Sequence, residues 1–246
     1  MILNIPTGIK NLLILMALGY VGQMAMDNLG YSWNMFALHY PDNPFFNAWQ
    51  IITYMLCHSG FGHLFFNAFA LFTFGSVVEY RLGTKRMLQL FIASGLGAVA
   101  LSYIASAIII HQGTGTFTPI HDNGVMAWNS IVSEVNDAVK LYEQKGITIP
   151  VEKWKYSLVM PSVGASGAIY GIMIAFAVLF PNETLMFMFI PYPIKAKYIV
   201  PGIVAIDVIF GVLNLPSDPF GHSAHIGGAL TGFIMIWIWR KKHGRF

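Results

Sequence analysis

MLQLFIASGLGAVALSYIASAIII, residues 87–110, carries no charge along its whole length. A helix needs about 20 mostly apolar residues to cross the hydrocarbon core of a bilayer, so this stretch reads as a membrane span. Five more segments qualify on either side of it: one near Ile9–Met26, one within Tyr54–Val78, one near Val163–Phe180, one near Tyr198–Leu213 that contains Pro201 and Asp207, and one near Ala224–Trp239. Composition agrees. Of 246 residues, 56% are apolar and 10% are charged, against about a quarter charged in a soluble domain. Mean hydropathy is +0.60. These values exclude a disordered chain and argue against a soluble enzyme. Cys57 is the single cysteine, which rules out an intrachain disulfide or a cysteine-rich metal site. A net charge of +3 gives no case for nucleic-acid binding. The expected fold is all-α: a polytopic membrane protein, residues 1–246 forming one six-helix bundle.

An even number of spans puts both termini on one side. Lys10, Arg81, Lys85, Arg86, Lys195, Lys197, Arg240, Lys241, Lys242 and Arg245 then share that side, and the positive-inside rule makes it cytoplasmic. The short outer segments around Asp27–Thr53 and Asn214–Ser223 hold no Lys or Arg. The first span lacks a basic leader and a clear cleavage site, so it is expected to be retained. Residues 114–160 are polar and charged and form an extracytoplasmic insertion. Within it Trp128, Ile131, Val132, Val135, Val139 and Tyr142 recur at helical spacing. They predict an amphipathic helix on the membrane or on the core, with a solvated loop as the alternative.

Polar groups inside a span are costly and invite a functional reading. The second span holds His58, His63 and Asn67, with His63 and Asn67 one turn apart on the same face. The fourth opens on Gly164-Ala165-Ser166-Gly167 and places Tyr170 one turn after the serine. A helix starting there offers unpaired N–H groups and a partial positive charge suited to an oxyanion. The sixth opens on Ala224-His225, and Gly228 and Gly232 form a GxxxG pair that permits a close crossing with a neighbour. A serine on that neighbour would give a nucleophile and a general base within reach. By the topology above, Ser166, His225, His63 and Asn67 lie at similar depth near the outer face. The bland alternative is that these groups only tie helices together.

His58-x4-His63-x3-Asn67, Gly164-x-Ser166-Gly167 and Ala224-His225-x2-Gly228-x3-Gly232, with Glu79-x-Arg81 after the second span, together resemble the rhomboid family of intramembrane serine proteases. The resemblance runs in order from about Ile9 to Trp239. It implies Ser166 as nucleophile and His225 as general base, working as a dyad without an acid. It implies an oxyanion held by the Ser166 N–H and the side chains of His63 and Asn67. Tyr170 would pack under the His225 ring, His58 would support the site, and Gly164, Gly167, Gly228 and Gly232 would allow close approach. The substrates would be membrane proteins cut in or beside their transmembrane segments. No cofactor, metal or nucleic acid is implied, and the location would be a bacterial cytoplasmic membrane with the site open to the outer face. Two departures stand out. Trp49-Gln50 occupies the place of a Trp-Arg pair common in the family, and the 114–160 insertion is longer than in its compact bacterial form. No cytosolic domain or seventh span is expected.

Asp207, the one acid deep within a span, is expected to have a structural or gating role, with contact to the site as the alternative. His222, His111 and His121 read as solvated loop histidines and Cys57 as an inert buried thiol. Two other functions remain open at this point. One is a catalytically inactive relative that binds membrane clients, which the presence of both Ser166 and His225 counts against. The other is a transporter or zinc site built on His58, His63 and His225, which no carboxylate motif supports.

Overall fold

Backbone amides in hydrocarbon must be satisfied within their own segment, and this chain does so with helices. A computed structural model describes residues 5–123, 125–145, 151–187, 190–213 and 221–244. The helices are α1 (Thr7–Asn28), α2 (Gln50–Thr53), α3 (Phe61–Ala70), α4 (Ser76–Leu82), α5 (Thr84–Thr114), α6 (Pro119–Asn123), α7 (Val125–Lys145), α8 (Lys153–Val159), α9 (Ser166–Leu179), α10 (Ala196–Leu213) and α11 (Gly221–His243). Each predicted span except the second falls on a single helix. Among the described residues, Thr7–Asn28, Phe61–Leu82 and the helix beginning at Thr84 are long and apolar enough to cross a membrane, and Ser166–Leu179 is apolar but shorter. Positions 214–220, most of the predicted outer segment between the last two spans, lie outside the described residues, as does Arg245.

The second span differs from its expected outline. Tyr54–Leu56 is a short 3-10 turn, the chain then breaks, and the long helix starts only at Phe61. His58 therefore sits in the break rather than in the helix. Five residues of π-helix, Leu71–Gly75, join α3 to α4. Between α9 and α10 lies an element the periodicity did not announce: strands β1 (Thr184–Phe187) and β2 (Ile190–Lys195) pair antiparallel. Pro191 and Pro193 fall in β2, which among the described residues pairs with β1 alone, so lost ladder donors cost little there.

α9 is apolar on every side and sits centrally, with Gly167, Ala168, Ile169, Gly171, Ile172, Met173, Ala175, Phe176 and Ala177 buried. α5 and α11 pack along it, and α10 and the π-helical stretch complete its surround. The outer faces carry exposed apolar side chains, among them Leu18, Val21, Phe65, Phe66, Phe69, Ile234 and Trp237. In water such a surface would drive aggregation; facing lipid it is in its own solvent. Glu79, at 3% exposure, fastens α1 to the bundle. Its carboxylate accepts from the Gly8 and Ile9 N–H groups at 2.8 and 2.7 Å and from the Thr84 hydroxyl at 2.6 Å. The first turn of α1 has no side-chain cap of its own, so Glu79 supplies the anion that its N-terminus favours.

The insertion is not a solvated loop. α5 continues to Thr114, so His111 lies in a helix, with its ring 4.5 Å from that of Phe117. Trp128, Ile131, Val135 and Ala138 of α7 are buried. Trp128 and Ile131 cluster with Ile110, Ile120 and Leu158. The predicted amphipathic face therefore rests on protein; the Tyr142 side chain is not among those described. The first outer loop is likewise fixed. Gln50, fully buried, donates to the Met35 and Phe45 carbonyls at 3.2 and 2.7 Å and accepts from the His39 N–H at 3.3 Å. A neutral amide thus holds this loop, at the position where the sequence departs from the family's Trp-Arg pair. Burial holds the imidazole of His39, in the same loop, below its usual 6.5, so it is neutral at pH 7. Asn43 Nδ2 donates to the Leu158 carbonyl at 2.8 Å, and Leu38 and Ser162 form an antiparallel bridge. Loop and insertion are therefore one assembly.

Candidate active site

The site forms where α9 and α11 begin. Gly167 and Gly171 of α9 meet Gly228 and Gly232 of α11: a β-carbon at Gly228 would land on the Gly167 carbonyl, and one at Gly232 would come within 2.5 Å of the Gly171 Cα. The sequence offered the GxxxG pair of α11. Its mate, Gly167-x3-Gly171, is the part that reading missed, although the same spacing was there to find. With no side chain between them, the two helices cross at backbone contact.

That crossing sets Ser166 and His225 side by side. His225 Nε2 lies 2.9 Å from Ser166 Oγ, a hydrogen-bond distance. Ser166 is the first residue of α9, so its N–H has no partner within the helix. The Tyr170 ring stacks on the His225 imidazole with centroids 4.2 Å apart and planes 5° from parallel. This fixes the plane of the imidazole.

Asp207 realises the alternative of contact with the site and departs from the acid-free dyad that the resemblance implies: its Oδ1 is 3.3 Å from His225 Nδ1, on the opposite side of the ring from Ser166. The same oxygen is 2.8 Å from Nδ1 of His222. His222 is thus no solvated loop histidine; it lies in the first turn of α11 with its side chain 15% exposed. Because a carboxylate can only accept, both Nδ1 atoms donate to it, which leaves Nε2 of His225 as an acceptor for the Ser166 hydroxyl. The signal for this contact in the sequence was the costliness of an acid in a span. Its target could not be read, since no spacing relates Asp207 to His225.

On the other flank, the His63 ring lies against Gly164: a β-carbon there would meet His63 Nε2 and Cε1 at 2.7 Å. Gly164 has φ +109°, which a side-chain-bearing residue rarely adopts. His63 Nδ1 accepts from the Ser59 N–H at 3.4 Å and lies 3.0 Å from its hydroxyl. That places the ring proton on Nε2, the atom facing Gly164. Asn67 is buried, and its Nδ2 donates to the His63 carbonyl at 2.8 Å, leaving one N–H of the amide uncommitted to that bond. His58 is buried with its ring 5.2 Å from that of His63, and its backbone is clasped by Gln23 of α1 through bonds of 2.9 and 3.2 Å. Ser59 and Gln23 are supporting residues that sequence reading passed over. Cys57 is buried, with its thiol free.

A family model described as the rhomboid domain matches residues 46–116 and 135–242. The chain belongs to the rhomboid family and is an integral membrane protein. The unmatched stretch between those blocks is α6 with the first half of α7. The putative rhomboid protease YdcA of Bacillus subtilis is 28% identical over 199 residues, covering 80% of this chain and 70% of that protein. Rhomboid protease GluP of the same organism is 25% identical over 186 residues, covering 76% of this chain and 25% of GluP. An uncharacterised mitochondrial rhomboid protein of Schizosaccharomyces pombe is 23% identical over 213 residues, covering 79% of this chain and 52% of its length. The chain thus spans about half or less of two of these relatives. With both organellar and bacterial proteins among them, they do not favour the bacterial cytoplasmic membrane over another.

Proposed function

We propose that the protein is an intramembrane serine endopeptidase that cleaves transmembrane or juxtamembrane segments of other membrane proteins. The observation that carries this reading is the 2.9 Å contact between Ser166 Oγ and His225 Nε2 at the start of two crossed helices. His225 takes the hydroxyl proton as Ser166 attacks a peptide carbonyl, then returns it to the leaving amine. The tetrahedral oxyanion is received by the Ser166 N–H, His63 Nε2–H and the Asn67 amide. Water then hydrolyses the acyl-enzyme by the same proton path in reverse. Asp207 acts through His225: it holds the proton on Nδ1 and steadies the imidazolium that forms. A substrate helix hides its carbonyls in its own hydrogen bonds, so segments with Gly or Pro, whose helices open at less cost, are the expected substrates. We read residues 1–246 as one domain of six spans with both termini cytoplasmic. The basic residues at the start of α5 and the end of α11 lie at the end opposite the catalytic pair, and the insertion lies at the same end as that pair.

The test is cleavage of a model transmembrane substrate by purified protein in liposomes. Cleavage by the unaltered chain and none by Ser166→Ala is expected. Cleavage retained by Ser166→Ala would sink the assignment. Labelling by a fluorophosphonate, lost in the same variant, separates a working nucleophile from a client-binding relative that has kept the residues alone.

A further inference from the structure

Asp207 is 7% exposed, and a single one of its oxygens carries both imidazoles, while the buried Oδ2 makes no well-formed hydrogen bond among the described residues and the Tyr170 hydroxyl is the other group that interacts with the carboxylate. Asp207, His222 and His225 each offer a donor atom, and these atoms lie within 4.8 Å of one another. The two histidines are three residues apart on α11 and face the carboxylate on α10 from the same side. The arrangement exceeds what orienting His225 requires, because His222 takes the shorter bond, 2.8 Å against 3.3 Å.

We propose that Asp207, His222 and His225 form a binding site for a divalent transition-metal ion, with zinc the best fit, and that filling it switches off the Ser166–His225 pair. Two imidazoles and a carboxylate suit zinc rather than magnesium or calcium. Bonds of about 2.0–2.2 Å in a tetrahedron put ligand atoms about 3.3–3.5 Å apart. Of the two oxygen–nitrogen separations, the 3.3 Å one already matches that edge, and the 2.8 Å one must open by about 0.5–0.7 Å as the metal replaces the hydrogen bond. The fourth position is left to water.

The inhibition follows from the tautomer. A neutral imidazole has one N–H and one lone pair. The base needs its lone pair on Nε2, toward Ser166, and its proton on Nδ1. To ligate through Nδ1, each histidine must carry its single proton on Nε2 instead; on His225 that N–H then points at Ser166 Oγ and blocks proton acceptance, and on His222 the same exchange frees the second ligand lone pair. No covalent bond other than N–H is exchanged. The same carboxylate thus serves two states of one histidine: proton on Nδ1 and active, or metal on Nδ1 and idle.

The binding half stands apart from the proposed protease activity, and the inhibitory half rests on it. Binding is therefore tested on Ser166→Ala, full length, tag removed, in detergent micelles. Calorimetric titration with ZnCl₂ and metal analysis after dialysis should give one ion per chain. Ser166→Ala/His222→Asn should bind at least tenfold more weakly, as should Ser166→Ala/His222→Gln if the first is poorly folded. Cobalt in place of zinc should show the visible absorption of a four-coordinate site. Equal binding by the His222 variants, or none by Ser166→Ala, would overturn the site. With Ser166 restored, zinc should suppress cleavage and a chelator should restore it. The zinc concentration for half-inhibition should rise at least tenfold in His222→Asn, each variant being compared with its own metal-free rate. Zinc bound at these residues without loss of cleavage would overturn the switch.

Discussion

Replacing Asp207 with asparagine isolates the contact on which the orientation of His225 depends. The side chain keeps its size, so the packing of α10 on α11 is preserved. The charge that accepts the Nδ1 proton is removed. A hydrogen bond to a charged group contributes about 1.5–3 kcal/mol. At 3.3 Å this one is longer than the 2.7–2.9 Å usual for such pairs, so the lower end applies. About 1.5 kcal/mol corresponds to a roughly tenfold fall in rate. Asparagine can also turn its NH₂ toward Nδ1 and favour the wrong tautomer, which in soluble serine proteases costs about 10⁴ in kcat. The expected loss for Asp207→Asn thus runs from about tenfold to about 10⁴-fold in kcat, with KM little changed, because substrate does not touch this residue. The assay is initial-rate cleavage of a transmembrane substrate in proteoliposomes, alongside the rate of fluorophosphonate labelling of Ser166. Both rates should fall together, and Asp207→Glu should recover part of each. A variant within twofold of the unaltered protein in both measurements would refute a positioning role. So would a loss confined to KM.

His63→Ala removes a donor aimed at the developing oxyanion and should lower kcat by about 100- to 1,000-fold while Ser166 labelling survives, read in the same assay. Gly228→Val forces a side chain onto the Gly167 carbonyl; α9 and α11 must separate, and both cleavage and labelling should be lost with a lowered thermal midpoint in detergent. Glu79→Gln weakens two charge-assisted bonds to the first turn of α1 and should cost about 2 kcal/mol or more, lowering that midpoint by roughly 4–8 °C with little effect on the metal-free kcat. An unchanged midpoint would mean that α1 is held by packing alone.

Much of the architecture was readable because lipid imposes one rule on every span. Uninterrupted apolar stretches such as 87–110 announce themselves, and the helices follow. The site was readable in part for the opposite reason: His63, Asn67, Ser166 and His225 break that rule, and the glycines beside them explain how they meet. The contact of Asp207 with His225 was hidden because it joins two helices through a crossing angle that no linear spacing encodes. The same holds for Glu79, whose partners are N–H groups some 70 residues earlier in the chain. Gln50 illustrates a third kind of limit. A polar residue in a loop carries no period, and its burial becomes visible only once Met35, Phe45 and His39 are folded around it.

The bridge between Leu38 and Ser162 joins the first outer loop to the strand-like segment that leads into Ser166, with backbone bonds of 2.9 and 2.8 Å. Two residues on, the Gly164 N–H is bonded to the Tyr54 carbonyl at 2.9 Å. Together these fasten the approach to the nucleophile at two points, one in the first outer loop and one in the short 3-10 turn that opens the second span. On the protease reading proposed above, any displacement of this loop by a substrate would therefore be felt at the segment that presents Ser166.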